Sequence, residues 1–345
     1  MSGEKFEIME QRLRTIAEML VINGSLLENS GLWYGKMGVA TFFFHYARYT
    51  GNELFEDFAV EIIQAIQADI HKDSVTDYDR GLAGIGAGIE YLAQNGFLAI
   101  DTNEVLADFD RRIRHDSMYW QQENNNLANG LCSLGQYLLY RLNSLSAGTN
   151  ELCLLINRES MVHVVNLLEN DKNLLPDDLP DILSFLCRLY ILDICNPKID
   201  RCIDKILNDF SISTITDEQL YLWTLALLRL TPMRNPMIDI AAKAIDKALQ
   251  AMDTTIEQSS NSRWLDEING LLWLLQCKKL IKPTGISMDL DSKIDSLTEK
   301  IFFQKDGELH FEKGKLSLKG CAGAGLAIMT LSGKYNDEAW LDLLG

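Results

Sequence analysis

A chain of 345 residues, 47% hydrophobic and 23% charged, carries enough apolar material for a large core and excludes a disordered or fibrous polypeptide. Its formal charge of -17 argues against nucleic-acid backbones and anionic membranes as partners, mildly favours cationic or neutral ones, and fits a solvated acidic surface. Seven cysteines (Cys132, Cys153, Cys187, Cys195, Cys202, Cys277 and Cys321) are scattered, odd in number and set among apolar residues, so no disulfide framework is implied.

The first residues, MSGEKFEIMEQRLR, alternate in charge and lack the apolar core of a signal peptide, and no run of about 20 apolar residues follows. The expected location is the cytoplasm. An amphipathic helix is predicted near residues 5–23 and another in NELFEDFAVEIIQAIQADI, where Phe55, Phe58, Ala59, Ile62, Ile63, Ile66 and Ile70 recur at helical spacing. Comparable helices are predicted near 102–119, 150–169, 198–210, 237–252 and 287–303.

Each amphipathic segment precedes a mostly apolar one. Four of these open on a shared template: GKMGVA at 35–40, GLAGIG at 81–86, GLCSLG at 130–135 and GCAGAG at 320–325. The template is Gly, two variable residues, a small residue, one variable residue, then Ala or Gly. The first three copies start 46 and 49 residues apart, and the 190 residues from Gly130 to Gly320 leave room for three degenerate copies between. Apolar segments beginning at Asp181, Tyr221 and Gly270 stand where these are expected, with Ser184 and Thr224 keeping the small position and Trp273 replacing it.

Seven helical pairs could form an open solenoid or a closed ring. An open array needs polar terminal repeats, whereas the last unit, LSLKGCAGAGLAIMTL, is apolar and matches the early ones. The expectation is an all-α fold: one α/α toroid domain of seven helical hairpins over residues 1–345, with inner and outer helix rings. Glycine costs about 1 kcal/mol relative to alanine inside a helix, so the motif glycines mark places that a ligand or a neighbouring helix approaches closely. A short β-hairpin is expected near residues 301–311, with Asp306-Gly307 at its turn.

GLWYGKMGVATFFFHYAR, GLAGIGAGIEYL and LKGCAGAGLAIMTL resemble the glycine-rich inner-helix motifs of the lanthionine synthetase C-like family. The likeness in repeat number and spacing covers essentially the whole chain. It implies a central zinc that activates a peptide cysteine thiolate for addition to a dehydrated Ser or Thr. In active members the ligands are a Cys in one late repeat and a Cys-His pair in the next, just before the first motif glycine.

Here those positions carry Tyr34, Arg80, Asn129, Pro180, Leu220, Asn269 and Lys319, preceded by Trp33, Asp79, Ala128, Leu179, Gln219, Ile268 and Leu318. His45 and Cys277 lie well inside apolar helices, Cys321 follows its motif glycine, His71, His115 and His163 fall on or beside amphipathic helices, and His310 is in the hairpin. No pair has ligand spacing, and neither a zinc site nor another cofactor is expected.

What remains at the helix starts is a polar rim: Tyr34, Lys36, Asp79, Arg80, Asn129, Asp181, Asn269 and Lys319. Asp79 and Asp181, like Asp217 and Asp266, suit a helix N-terminus. Arg80 and Lys319 oppose the helix dipole there, so they either pair with nearby aspartates or attract a carboxylate or a carbonyl-rich chain. The first functional reading is a zinc-free member of this family, a non-catalytic component of peptide maturation that binds a peptide or protein partner at the toroid mouth. The alternative is an enzyme on the same architecture. It would be a zinc-independent peptide cyclase, or a glycosidase or epimerase using rim carboxylates with Trp33 and Tyr34 as stacking surfaces.

Overall fold

A computed structural model describes residues 3–123, 127–145, 151–171, 174–208, 210–213, 215–258, 263–303, 315–335 and 337–345, and among them every regular element is helical. In chain order these are α1 (Gly3–Asn23), α2 (Lys36–Thr50), α3 (Leu54–Asp69), α4 (Leu82–Gln94), α5 (Thr102–Val105), α6 (Ala107–Glu123), α7 (Leu127–Leu145), α8 (Glu151–Asn170), α9 (Leu179–Tyr190), α10 (Asn196–Asn208), α11 (Asp217–Leu230), α12 (Ile238–Gln258), α13 (Arg263–Ile281), α14 (Asp291–Thr298) and α15 (Cys321–Leu331). No described helix is long and apolar enough to cross a membrane.

The expected alternation is present. Mostly apolar α2, α4, α7, α9, α11, α13 and α15 each follow an amphipathic partner, the third partner being split into α5 and α6. Helix α2 is buried almost all round, from Lys36 to Ala47, while α3 buries the stripe Ala59, Ile62 and Ile66. The split falls at Leu106. Asp101 starts the short α5 by accepting a hydrogen bond from the Asn103 amide at 2.9 Å.

The hairpin expectation is corrected at its start. Residues Glu299–Phe303 form a π-helical turn continuing α14, with Ile301 and Phe302 buried, and Arg12 Nε of α1 donates to the Phe302 carbonyl at 3.3 Å. Burial of this pair against α1 favours helix over strand. The rest of that segment, including Asp306, Gly307 and His310, lies outside the described residues.

The chain divides into two compact units, one comprising Met1–Gly88, Thr255–Lys279 and Asp289–Leu344, the other Ile89–Thr254, Leu280–Met288 and Gly345. In the first unit α2 packs on α3 and α15, and α15 also packs on α1. The last apolar helix is therefore seated against the first.

This unit explains the glycine motif. Before each of α2, α4 and α15 the chain folds back on the helix start, and its carbonyls accept from amides of the first turn. Asn29 O takes Lys36 N at 2.9 Å, Val75 O takes Leu82 N at 2.9 Å, and Lys315 O takes Cys321 N at 3.0 Å. These amides would otherwise lack partners. A methyl group on Gly81 would stand 2.4 Å from Val75 O and one on Gly84 1.9 Å from Tyr78 O, while Gly320 and Gly323 meet Lys315 O and Leu318 O at 1.9 and 2.0 Å. The visitor at the first and fourth motif positions is the repeat's own loop, joined at Gly38 by Ser317 from the loop before α15. At the sixth position it is a ring from another apolar helix: Gly325 would meet Phe42 at 2.3 Å and, in the second unit, Gly135 would meet Phe185 at 2.4 Å.

In the second unit α7 packs on α8 and α9, and α9 packs on α11. The degenerate small positions carry hydroxyls. Ser184 Oγ accepts from Arg229 Nη1 at 2.7 Å, and buried Thr224 donates to its own Leu220 carbonyl at 2.7 Å. Arg141, wholly buried, donates to Glu90 of α4, to Asp110 of α6 at 2.9 and 3.2 Å, and to Thr102 and Asn103 of α5. Tyr137 donates to Asp110 at 2.7 Å, and its own phenol is pushed well up by burial and then by that carboxylate. The cluster ties three helices to one guanidinium.

Gly84→Ala and Gly325→Ala should each destabilise the chain by about 1–3 kcal/mol in urea melts. Phe42→Leu should recover most of the loss in the Gly325 variant, because a ring can be shortened; no side-chain change relieves the main-chain clash at Gly84. Arg141→Met leaves Glu90 and Asp110 buried without their cation and should cost about 3–5 kcal/mol in the same melts; a loss below about 1 kcal/mol would show that the cluster does not hold the helices.

Candidate functional site

The first unit brings Trp33, Tyr34, Asp79, Arg80 and Lys319 together where the loops before α2, α4 and α15 meet. Main-chain bonds string these loops in order: Lys319 N donates to Trp33 O at 3.2 Å, and Trp33 N donates to Asp79 O at 3.0 Å. Gly31 permits this approach, since a methyl group there would lie 2.2 Å from the Arg80 backbone. Ser317, buried, shares its hydroxyl proton between Leu32 O at 3.1 Å and Gly35 O at 2.6 Å, fixing the first loop from below.

The two cations that oppose the helix dipole find aromatic faces. Lys319 Nζ stands 3.1 Å from the centre of the Trp33 ring, and the Arg80 guanidinium carbon is 5.4 Å from that of Tyr34. Such contacts contribute about 0.5–2 kcal/mol, more as water is removed. Trp33 also meets Tyr78 edge-on, with ring centres 5.6 Å apart. The half-buried Asp79 carboxyl is pushed up, chiefly by desolvation, with Asp77 adding to the shift and Lys319 and Arg80 opposing it. Burial likewise raises the Tyr34 phenol, aided by Asp79 and opposed by Arg80.

Lys36 behaves differently from its neighbours. It is buried and turns toward α3, where its ammonium pairs with Asp69 at 2.5 Å and holds that carboxyl below the usual range. Beside this pair lies a cavity of about 170 Å³ lined by Ser30, Asp69, Ser74, Arg80 and Ile85 among others. Asn269 is exposed on α13. In the second unit Asp181 is exposed in the first turn of α9, as a residue complementing the helix dipole would be. Asn129 belongs to α7, and its side chain lies outside the described residues. Two contributors were not legible as site residues: Tyr78, hidden among the loop residues, and Leu343, whose carbonyl accepts from Trp33 Nε1 at 2.8 Å.

The rim does not fit zinc. Trp33 and Tyr34 stand before α2, Arg80 before α4 and Lys319 before α15, so these three helix starts carry rings and cations. The Cys321 thiol, two residues on from Lys319, is fully buried, and burial pushes it up to about 12. Among the described residues no three His, Cys, Asp or Glu side chains are grouped as a metal site needs.

Burial both shields Cys321 and disfavours its reactive thiolate at pH 8. Iodoacetamide should leave Cys321 unmodified in the folded chain and alkylate it on unfolding, as read by peptide mass mapping; rapid native alkylation would contradict the described burial. The chain matches no protein-family model and no curated protein.

Proposed function

We propose that this chain is a zinc-free relative of the lanthionine synthetase C-like proteins, an α/α toroid that binds a peptide or partner protein at its mouth as a non-catalytic component of peptide maturation. Closure of the ring is supported by the packing of α15 on α2 and α1, and by the main-chain bonds from Lys319 to Trp33 and from Trp33 to Asp79. The observation that carries the binding reading is the rim itself. The loops before α2, α4 and α15 present two cations on aromatic faces, Lys319 on Trp33 and Arg80 on Tyr34.

That chemistry suits a peptide. Aromatic faces take apolar side chains, and cations near them take carboxylates and main-chain carbonyls. The cavity beside Arg80 has the volume of a single side chain. Its lining sets Arg80 against the carboxylates of Glu28 and Asp69, the latter paired with Lys36, so it suits a neutral side chain.

A second reading, an enzyme using rim carboxylates, is favoured by one observation: burial raises the Asp79 carboxyl, as a general acid requires. Turnover of an oligosaccharide panel, abolished by Asp79→Asn, would select it.

For the binding reading, the paired substitution Arg80→Ala and Lys319→Ala should weaken capture of short labelled acidic peptides by at least tenfold, about 1.4 kcal/mol, with an unchanged far-UV spectrum. Undiminished capture, or stoichiometric zinc in the purified protein by elemental analysis, would overturn it.

A further inference from the structure

Residues Ala339–Leu344 form a short 3-10 helix in the first unit, with Trp340, Leu341 and Leu343 buried. This segment meets side-chain donors beside the rim. The indole N–H of Trp33 donates to Leu343 O at 2.8 Å, and the Tyr78 hydroxyl donates to the same oxygen at 3.4 Å. Lys279 Nζ pairs with Asp342 at 2.7 Å and donates to Glu338 O at 3.1 Å. Trp340 Nε1 donates to Thr330 Oγ1 at 3.0 Å. The Leu341 amide, by contrast, turns inward to Glu338 O at 3.2 Å.

The segment is thus held as a bound peptide is held: a main-chain carbonyl on two fixed donors, an apolar anchor in a pocket and an acidic side chain on a cation. Its connection to α15 runs through exposed Gly333, at φ 71°, and exposed Lys334. Trp33 is shared, since its face carries Lys319 and its edge carries the segment.

We infer that residues 337–344 are a strap occupying, in cis, a peptide groove formed by Trp33, Tyr78 and Lys279, and that the groove's ligand in trans is an acidic, leucine-rich peptide with a large apolar anchor. This rests on the peptide-binding reading of the rim and adds to it the ligand class and the gate. While the strap is seated, the Trp33 and Tyr78 donors are engaged. A partner peptide therefore binds only the fraction of chains whose strap is out, and its apparent affinity falls by that fraction.

The probe is a fluorescein-labelled peptide of sequence DEAWLDLLG, which copies residues 337–345. In the full chain Trp340→Ala removes the strap's anchor, and affinity for the probe by anisotropy should rise at least tenfold over the parent. A protease site placed between Gly333 and Lys334 gives a second route. After cleavage of the folded protein, the strap should exchange with the probe saturably, and unlabelled peptide should compete. Trp33→Phe keeps a ring under Lys319 but removes the N–H, and should cost about tenfold in probe binding in either background.

No gain from Trp340→Ala together with a cleaved strap that never exchanges would make the segment a fixed part of the core, and equal probe binding by Trp33→Phe would remove Trp33 from the groove; either result overturns the inference. Peptide capture dependent on Arg80 and Lys319 would then still stand. Conversely, strap exchange that survives with capture insensitive to those cations would retain the strap and remove the rim reading.

Discussion

The first unit depends on one close approach, that of loop carbonyls to the bare first turns of α2, α4 and α15. Each contact does two things at once. It gives orphan helix amides a main-chain acceptor, and it sets the loop against the helix at a distance that a β-carbon would forbid. A side-chain cap could satisfy the amides, but it would leave the loop free to stand off. With main-chain caps and glycines, the loops before three different helices lie close enough for Trp33 to bond both Lys319 and Asp79 through its own peptide groups.

The electrostatics of the rim follow from that placement. A lysine just before a helix start faces the positive end of the dipole, and the cost is offset here because Trp33 is held where its face meets the ammonium. Asp79 lies half-buried in the same cluster, and its desolvation outweighs the two cations beside it. Lys36, one helical residue further on, is committed to Asp69 and serves the α2–α3 contact. Of the eight polar side chains that the sequence groups as a rim, four gather with Trp33 in the first unit, Lys36 forms a structural ion pair, and Asn269 is exposed on α13.

The helices and their character were legible because side-chain periodicity encodes them directly. Ala59, Ile62 and Ile66 lie on the buried face read from spacing, and the degenerate repeats begin near Asp181, Tyr221 and Gly270, though α13 starts earlier, at Arg263. The glycines signalled a close approach but could not name the visitor, because a carbonyl five or six residues upstream leaves no trace in side-chain chemistry. The π-turn at Glu299–Phe303 was hidden for a related reason, since it packs on α1, and the break at Leu106 left no mark in the amphipathic spacing. The Arg141 cluster and the Trp33–Leu343 bond join residues 51 and 310 positions apart, and nothing at either end announces the other.

The most direct measurement is native-state hydrogen exchange at the amides of Trp33, Lys36, Leu82 and Cys321. If loop carbonyls seat the helix starts as described, these amides exchange as slowly as those in the middle of α2, close to the limit set by global unfolding. Exchange at the rate of exposed loop amides would mean that the loops do not dock, and the rim built on them would not exist in solution.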